Sequence, residues 1–505
     1  MFKGVGLALL LPNRGVLKGD NLLATANAVA RSPYFILSLI LLLAFLVYAP
    51  VLNDWFKADD FYYLRAAQLN APLEFIAEAF DFRDTSQPVP EHVGHYRPLY
   101  MVTMWAEIKL FGQHAFPHHL LSLLIHLASV ALVWLIAVKA TRRPLIAHIA
   151  ALVFALHPTY VMVVGWISER SATLATLGTL VCLWSFMKAL DGGARSKLWY
   201  LVSLASYLAA LLYHPKAAPV LVALIAYYFL IHRGTLEESF SLRPWLRFVP
   251  YIAIALFPLL VLLWLREENL RQQMNIGFGP HIYENYLRYL FLAVVPHPLL
   301  ADRGSAGGVA PTLAGSVAAA LAWLGIGVWA LKDSRNRAAH LFALLWFLAA
   351  IWPLVTFRWG AFPRHFYSVG PGFALVLSLF LVSVLDSLPP LRFSRVVAAA
   401  VLVVFVVLAS QRIFITERGQ GLPAAQSQDF IEELREIYPT LPEEATLYVV
   451  GAPLPLRFFD DIYLMSAVSV YYGDIDIRSV SEAEARELEQ SPRPNDRVFR
   501  YSGYD

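Results

Sequence analysis

Long apolar runs dominate this chain and restrict what it can fold into. Eleven of them are long enough to cross a hydrocarbon core of roughly 30 Å as helices. They lie at about 34–52, 117–138, 144–164, 171–190, 198–213, 217–231, 248–265, 311–331, 339–357, 366–388 and 396–413. Because 58% of the residues are hydrophobic and only 15% are charged, we expect an all-α polytopic integral membrane protein.

Lys and Arg collect in every second short loop between these runs, and positive loops are retained in the cytoplasm. The basic loops lie at 139–143, 188–197, 233–247, 332–337 and 392–395. We therefore expect a cytoplasmic amino terminus and, with an odd number of spans, an extracytoplasmic tail. No small-residue cleavage site follows the first run, so it is predicted to be a retained anchor in the plasma (inner) membrane.

The composition divides the chain into three predicted regions. Residues 1–33 form a cytoplasmic segment, residues 34–413 a transmembrane domain, and residues 414–505 a small extracytoplasmic α/β domain. Within the transmembrane domain, the outer loop 53–116 and the outer segment 266–310 show apolar residues at helical spacing, which suits interfacial helices. The tail contains strand-like ATLYVVGA and DRVFRYSG but no nucleophile, metal or phosphate motif, so we expect support, acceptor contact or partner binding there.

Several kinds of site are excluded or disfavoured. The net charge of +3 reflects the loop bias, and no basic stripe is interleaved with aromatic residues, so nucleic acid is not an expected partner. Cys182 is the only cysteine and lies in a predicted span, which excludes disulfides and thiol catalysis. Five histidines lack the spacing and the nearby acid of a metal site, and hydrogen bonding is the favoured role. They are His118, His119, His126, His157 and His214.

Two adjacent acids, Asp59 and Asp60, follow the first span on the predicted outer side. Ionisable groups at a membrane boundary cost desolvation energy and mark functional sites more often than chance. The alternative is a pair of solvated loop acids. Placement alone leaves the two interpretations equal.

Four short motifs share the predicted outer side, and folding would bring them into one cavity. They are FKADDFYYL with Asp59 and Asp60, HYRPLYMVTMW with His95 and Arg97, FPHHLLSLLIHL with His126, and LHPTYVMVVGWISERS with His157, Glu169 and Arg170.

In this order the motifs resemble the GT-C superfamily of polytopic membrane glycosyltransferases, most closely bacterial relatives of TMTC-type, PMT-like O-mannosyltransferases. The resemblance covers about residues 34–412. It rests on the acidic pair, Arg97 to Leu99, His126, His157 and Pro158, and the Trp166, Ser168 and Arg170 pattern. Later, NYLRYLFLAVVPHPLL resembles an outer-loop segment of the family, and FPRHFYSVGPGF resembles its signature before a span.

The resemblance implies an inverting enzyme that moves a sugar from a polyprenyl-phosphate carrier to an acceptor hydroxyl on the extracytoplasmic side. Asp59 or Asp60 would be the general base, and cations would hold the departing phosphate. The implied donor-phosphate contacts are Arg364, His365, Tyr367, Lys216 and Arg288, with Arg303 as a further candidate. The implied substrate contacts are Arg97, His95, His157, Glu169, Arg170, Trp55 and Tyr62, the last two through their rings. The sugar, the carrier length and the acceptor class, which is a protein, a lipid or a glycan, stay open.

Three positions depart from the family pattern. Met162 and Ala172 stand where relatives carry acids, and Pro363 stands where an acid is usual. Glu169 would then supply any second carboxylate, so the need for a divalent cation, Mg²⁺ or Mn²⁺, stays open, as does a loss of activity. Two other functions compete with transfer: a non-catalytic membrane scaffold and a ligase or polymerase of surface polysaccharide. The acidic pair argues against the ligase, and the absence of paired charges in mid-span argues against a transporter.

Overall fold

The computed structural model describes residues 32–69, 72–81, 96–233, 242–264, 277–294, 301–303, 309–311, 313–358, 360–387, 392–442, 444–457, 461–473, 475–491 and 493–503. Nearly all of the predicted segment 1–33 lies outside these residues. The predicted all-α membrane protein with a small α/β carboxyl-terminal domain is confirmed.

Helices make up the membrane part of the chain. They are α1 (Pro33–Tyr48), α2 (Asp60–Leu69), α3 (Pro72–Phe80), α4 (Pro98–Phe111), α5 (Ala115–Thr141), α6 (Pro144–Ala155), α7 (Val161–Gly165), α8 (Arg170–Leu190), α9 (Ser196–Tyr213), α10 (Val220–Ala226), α11 (Leu242–Trp245), α12 (Val249–Trp264), α13 (His281–Val294), α14 (Leu313–Lys332), α15 (Arg337–Val355), α16 (Phe366–Ser387) and α17 (Arg392–Ile437). A π-helical turn, Tyr227–Arg233, continues α10. Two short strands, β1 (Ala301–Arg303) and β2 (Val309–Pro311), pair antiparallel before α14. Proline occupies the first position of α1, α3, α4 and α6, where its missing N–H costs no helical hydrogen bond.

Eight helical segments of the described residues are long and apolar enough to cross a membrane, or nine when the bent pair 144–155 and 158–165 counts as one span. They coincide with nine of the eleven predicted spans. The predicted spans 198–213 and 248–265 also form helices, α9 and α12, but neither meets that test within the described residues. Helix α12 has 16 residues, and α9 begins with polar residues, so the predicted number of eleven is not confirmed.

Small residues let the helices at the centre of the bundle approach closely. Helix α6 buries Ala147, Ala150 and Ala151 completely, and it packs between α5 and α16. In α16, a β-carbon at Gly372 would lie 2.8 Å from the backbone nitrogen of Phe347 in α15. Glycine is therefore needed for this helix spacing, since the obstacle is backbone and not a flexible side chain.

Ion pairs gather at one end of the bundle. Arg143, at the start of α6, contacts Asp386 at the end of α16 with 2.5 Å between nitrogen and oxygen. Lys139, near the end of α5, contacts Asp191 after α8 at 2.6 Å. These residues belong to the predicted cytoplasmic loops or adjoin them. The acidic pair lies at the opposite end of the bundle. Asp60 contacts Ser168, just before the first turn of α8, whereas Asp191 follows the last turn of that helix.

The carboxyl-terminal domain contains a three-stranded parallel sheet in the order β4-β3-β5. Its strands are β3 (Thr446–Val450), β4 (Asp476–Ser479) and β5 (Asp496–Arg500), and its own helices are α18 (Ile462–Tyr472) and α19 (Glu482–Gln490). The predicted strands in ATLYVVGA and DRVFRYSG are confirmed, whereas β4 and α18 were not predicted. Helix α17 continues through the predicted boundary at residue 413, so one helix belongs to both domains.

The close contact at Gly372 gives a stability prediction. Gly372→Ala should lower the free energy of unfolding by about 1–3 kcal/mol, because the new methyl group meets the backbone of α15. Gly325→Ala in α14 is the matched control, since nothing lies within 4 Å of its β-carbon position. Thermal unfolding in detergent measures both variants. Equal melting temperatures for Gly372→Ala and wild type would contradict the close packing of α15 and α16.

Candidate active site

One short segment, residues 166–171, connects most of the motifs found in the sequence. It contains a single 3-10 turn, Ile167–Glu169, that leads into α8. Tyr100 of α4 donates its hydroxyl hydrogen to the carbonyl oxygen of Ser168 at 2.7 Å, and Arg97 Nη1 donates to Ser171 Oγ at 3.2 Å. The second and fourth motifs are thereby held against each other.

Asp60 attaches the first motif to the same segment. Its Oδ1 accepts the backbone N–H of Ser168 at 2.9 Å and the hydroxyl of Ser168 at 2.5 Å. Its Oδ2 accepts the backbone N–H of Lys57 at 3.0 Å. The Asp60 side chain is buried, and these three donors use its acceptor capacity, so it serves to position the loop.

Asp59, the neighbouring residue, has a different environment. It is half-buried, and its Oδ1 is shielded from solvent without a hydrogen-bond partner among the described residues. Burial raises the pKa of Asp59, and the negative charges of Asp60 and Glu169 raise it further. A carboxylate with an unoccupied oxygen and a raised pKa is suited to take a proton from a substrate.

The backbone beside Asp59 is held in an uncommon conformation. Ala58 has a φ of 51°, in the left-handed region that costs a residue with a β-carbon about 1 kcal/mol. Such outliers persist where the surrounding structure determines them, and they cluster at functional sites. The hydrogen bond from Lys57 N–H to Asp60 spans this residue and holds the turn.

Basic side chains lie near Asp59 and Glu169. Arg364 Nε is 3.0 Å from Glu169 Oε1, and Arg364 also interacts electrostatically with Asp59. Lys216 is half-buried and interacts electrostatically with Glu169, Arg97 and Arg364. The structure therefore brings together three of the predicted cations with Asp59 and Glu169.

These groups share a local structure. Glu169, Lys216 and Arg364 each lie in a one-turn 3-10 helix that precedes a longer helix, respectively α8, α10 and α16. Pro215 and Pro363 begin two of these turns. The amino-terminal ends of three helices therefore point toward one region, and such ends carry partial positive charge that favours anions.

Two further predicted phosphate contacts lie beside Arg364. His365 is buried, and its Nδ1 is 3.3 Å from the hydroxyl of Tyr289 in α13. Arg288 forms an ion pair with Glu284 at 3.5 Å and lies against Gly360 on the loop that leads to Arg364. Their predicted roles stay predictions.

The structure corrects the prediction for Arg170. Its guanidinium group is completely buried, pairs with Glu107 of α4, and donates to Ser122 Oγ at 3.1 Å and to the carbonyl oxygen of His118 at 2.6 Å. His118 Nδ1 is 3.3 Å from the same carboxyl group of Glu107. Arg170 therefore joins α4, α5 and α8 and has no surface left for a substrate.

His157 and Tyr367 are likewise in the core and away from solvent. His157 is 3% exposed, with Nδ1 2.8 Å from Thr159 Oγ1 and its ring stacked on Phe366. The Tyr367 hydroxyl is 3.1 Å from Nδ1 of His126, and the Tyr367 side chain is fully buried. The predicted substrate contact of His157 and phosphate contact of Tyr367 do not fit this geometry.

The predicted sugar-stacking rings are also occupied. Trp55 stacks on Tyr471 of the carboxyl-terminal domain, with ring centroids 6.5 Å apart and planes at 18°. Tyr62 is 6% exposed and packs edge-on against Tyr63. Both therefore contribute to the core between the domains. His95 lies outside the described residues, as does the side chain of Arg303.

Two of the three acids at the site already have partners. Asp60 accepts three hydrogen bonds and Glu169 pairs with Arg364, whereas Asp59 Oδ1 has no hydrogen-bond partner among the described residues. Among the described residues, no group of three His, Cys, Asp or Glu side chains could hold a metal ion. The role of a divalent cation stays a prediction, because Mg²⁺ often binds through one or two carboxylates together with the phosphates of its substrate.

Sequence reasoning missed Glu107 and the contribution of α18. Glu107 is the one acid within PLYMVTMWAEIKLF, and an acid on an apolar helical face was the available signal. Helix α18 was missed because IYLMSAVSVYY is apolar throughout and short enough to suit a strand.

Comparison with known proteins supports the motif analysis. Residues 93–264, about a third of the chain, match the family model of dolichyl-phosphate-mannose-protein mannosyltransferase. A stretch of 126 residues is 30% identical to the human protein O-mannosyl-transferase TMTC1. The predicted family resemblance is confirmed. The aligned stretch covers 24% of this chain and 14% of the human protein, so this similarity is confined to one part of each chain.

Two solved structures are similar to the whole chain. ArnT from Cupriavidus metallidurans bound to undecaprenyl phosphate is 16% identical with a TM-score of 0.46, covering 91% of this chain and 89% of that chain. The archaeal oligosaccharyltransferase AglB from Archaeoglobus fulgidus, in complex with an inhibitory peptide and a dolichol-phosphate, is 14% identical with a TM-score of 0.45, covering 87% and 64%.

The buried pair of Glu107 and Arg170 yields a second stability prediction. Arg170→Met alone should destabilise the protein by about 3–5 kcal/mol, because Glu107 is left buried without its partner. The double variant Glu107→Leu/Arg170→Met should recover most of that loss, since no buried charge remains. Denaturation of the three proteins in detergent measures the difference. A double variant that is less stable than Arg170→Met would contradict a purely structural pair.

Proposed function

We propose that this protein is an inverting glycosyltransferase that moves a sugar from a polyprenyl-phosphate donor to an acceptor hydroxyl on the extracytoplasmic face of the membrane. The observation that supports this proposal most directly is the environment of Asp59. Its uncommitted carboxylate oxygen lies beside a cluster of cations at one end of a membrane-spanning bundle.

The base step follows from the different environments of the two acids. Asp60 is held by Ser168 and Lys57, so it fixes the turn that carries Asp59. An acceptor hydroxyl next to Asp59 Oδ1 gives its proton to that oxygen as the acceptor oxygen attacks the anomeric carbon. The bond between the anomeric carbon and the carrier phosphate breaks in the same displacement, and this single displacement inverts the anomeric centre.

The leaving group requires positive charge. Arg364 and Lys216 supply it, and both are preceded by a proline and placed at the amino-terminal end of a helix. A guanidinium group matches the geometry of a phosphate, and preorganised cations stabilise charge that develops in the transition state. Glu169 keeps Arg364 in place through their ion pair.

The donor class is supported by the family model, whose description names a dolichyl-phosphate-linked mannose. Mannose on a polyprenyl phosphate is therefore the first donor to test. The acceptor is to be sought among proteins, lipids and glycans, because the matching region covers only residues 93–264.

Replacement of the two acids should separate base and positioning roles. Asp59→Asn should lower the rate of sugar transfer at least about 100-fold, because general-base catalysis alone contributes this much. The melting temperature of the protein should stay the same. Asp60→Asn should lower both transfer and stability, since it weakens three hydrogen bonds. Transfer from radiolabelled polyprenyl-phosphate monosaccharides in membranes is the measurement.

The control for this experiment is Asp429→Asn, an exposed acid on α17. It should leave transfer unchanged. Turnover of no donor by the wild-type protein, or full turnover by Asp59→Asn, would overturn the proposed function.

The pKa of Asp59 gives a pH prediction. Because burial and nearby acids raise this pKa above 3.8, kcat/KM should rise with pH through a value higher than that of an ordinary aspartate. Glu169→Gln removes one negative neighbour, which lowers the pKa of Asp59. The acidic limb of the curve of kcat/KM against pH should therefore move to lower pH. Glu436→Gln, an exposed acid on α17, should leave the limb in place. A limb that does not move in Glu169→Gln would contradict Asp59 as the titrating base.

A further inference from the structure

The carboxyl-terminal domain is docked directly on the helix that carries the acidic pair. Helix α18 packs against α2, and the two share one hydrophobic cluster. Phe61 and Leu64 of α2 and Leu464 and Val468 of α18 are among its buried members. This cluster is separate from the core of the membrane helices, so it belongs to the boundary of the two domains.

Polar and aromatic contacts fix the far end of α18. Gln68 of α2 and Gln113, after α4, both donate from Nε2 to the carbonyl oxygen of Val470, at 3.4 and 3.3 Å. Tyr471 stacks on Trp55, four residues before Asp59. Two elements of the membrane domain therefore hold α18 in one orientation.

The near end of α18 reaches the acids. Tyr463, its second residue, is 8% exposed and packs in the hydrophobic cluster that contains Phe61 and Tyr62, the two residues after the acidic pair. Asp59, Asp60 and Arg364 are among its electrostatic neighbours. Asp461, directly before the helix, has a φ of 63°. A left-handed residue thus lies two positions before Tyr463, and another, Ala58, lies directly before Asp59.

We propose that Tyr463 is a positioning residue of the active site, through which the carboxyl-terminal domain contacts the acceptor beside Asp59. The sheet domain is then part of the active site and not a remote appendage. A tyrosine hydroxyl both donates and accepts hydrogen bonds, which suits an acceptor hydroxyl whose proton leaves toward Asp59. The proposed function assigns the donor phosphate to Arg364 and Lys216 and the acceptor hydroxyl to Asp59, and we assign the contact of Tyr463 to the acceptor. The acceptor contact rests on the proposed function.

The first test needs no transferase activity. A water-soluble carbodiimide modifies protonated carboxyl groups, and mass spectrometry measures its rate of reaction at Asp59. Tyr463→Ala should increase this rate severalfold because the ring no longer covers the site. Tyr463→Phe, which keeps the ring, and Tyr472→Phe should match wild type. The same rate at Asp59 in Tyr463→Ala and wild type would overturn the placement.

The matched control, Tyr472→Phe, changes a tyrosine at the other end of α18. Tyr472 is the last residue of the same helix, and its hydroxyl donates to the carbonyl oxygen of Tyr438 at 2.6 Å within the carboxyl-terminal domain. About 1.5 Å of rise per residue places it about 13 Å along the helix from Tyr463. Should Tyr463→Ala fail to fold, the Tyr463→Phe kinetics still test the proposal.

The second test measures transfer. Tyr463→Phe should raise the KM for the acceptor about tenfold, the effect of one lost hydrogen bond, while the KM for the donor stays within about twofold. Tyr472→Phe should leave both constants unchanged. Equal changes in both constants, or none, would overturn the acceptor contact. If the wild-type protein turns over no donor, the proposed function fails, and the carbodiimide rates still decide where Tyr463 lies.

Discussion

The hydrogen bonds between Asp60 and Ser168 are the contact on which the candidate site depends. They join the loop after the first span to the turn before α8, which are more than 100 residues apart in the chain. Tyr100 and the pair of Glu107 and Arg170 then bring α4 to the same turn. These contacts belong to one buried polar network, so the loss of one weakens the others.

Adjacent acids acquire different roles because only one of them is used by the fold. Asp60 is at the first position of α2 and accepts three hydrogen bonds, whereas the Asp59 Oδ1 atom has no partner among the described residues. The site thus follows a common arrangement of enzymes, in which a committed residue orients an uncommitted one. The backbone of Ala58, directly before Asp59, is strained in this arrangement.

The membrane domain and the carboxyl-terminal domain form one structure around the site. Helix α17 runs through both, and α18 packs on α2 beside Asp59. A domain that appears in the sequence only as a soluble tail therefore lies against the segment that follows the first apolar span. In the proposed transferase, this arrangement would bring a lipid-linked donor and its acceptor to the same carboxylate.

The sequence by itself determined the membrane class, nine of the apolar spans and two strands of the tail. It also predicted site roles for Asp59, Glu169, Lys216 and Arg364, which the structure brings together and which stay predictions. Hydrophobic runs and charge bias are local properties, so they can be read without knowledge of the fold. Only the tertiary structure decided that Arg170, His157 and Tyr367 are core residues, because burial and pairing depend on helices that are distant in the chain. The same reason applies to Tyr463, whose position beside Asp59 comes from the packing of two domains and from no pattern in the sequence.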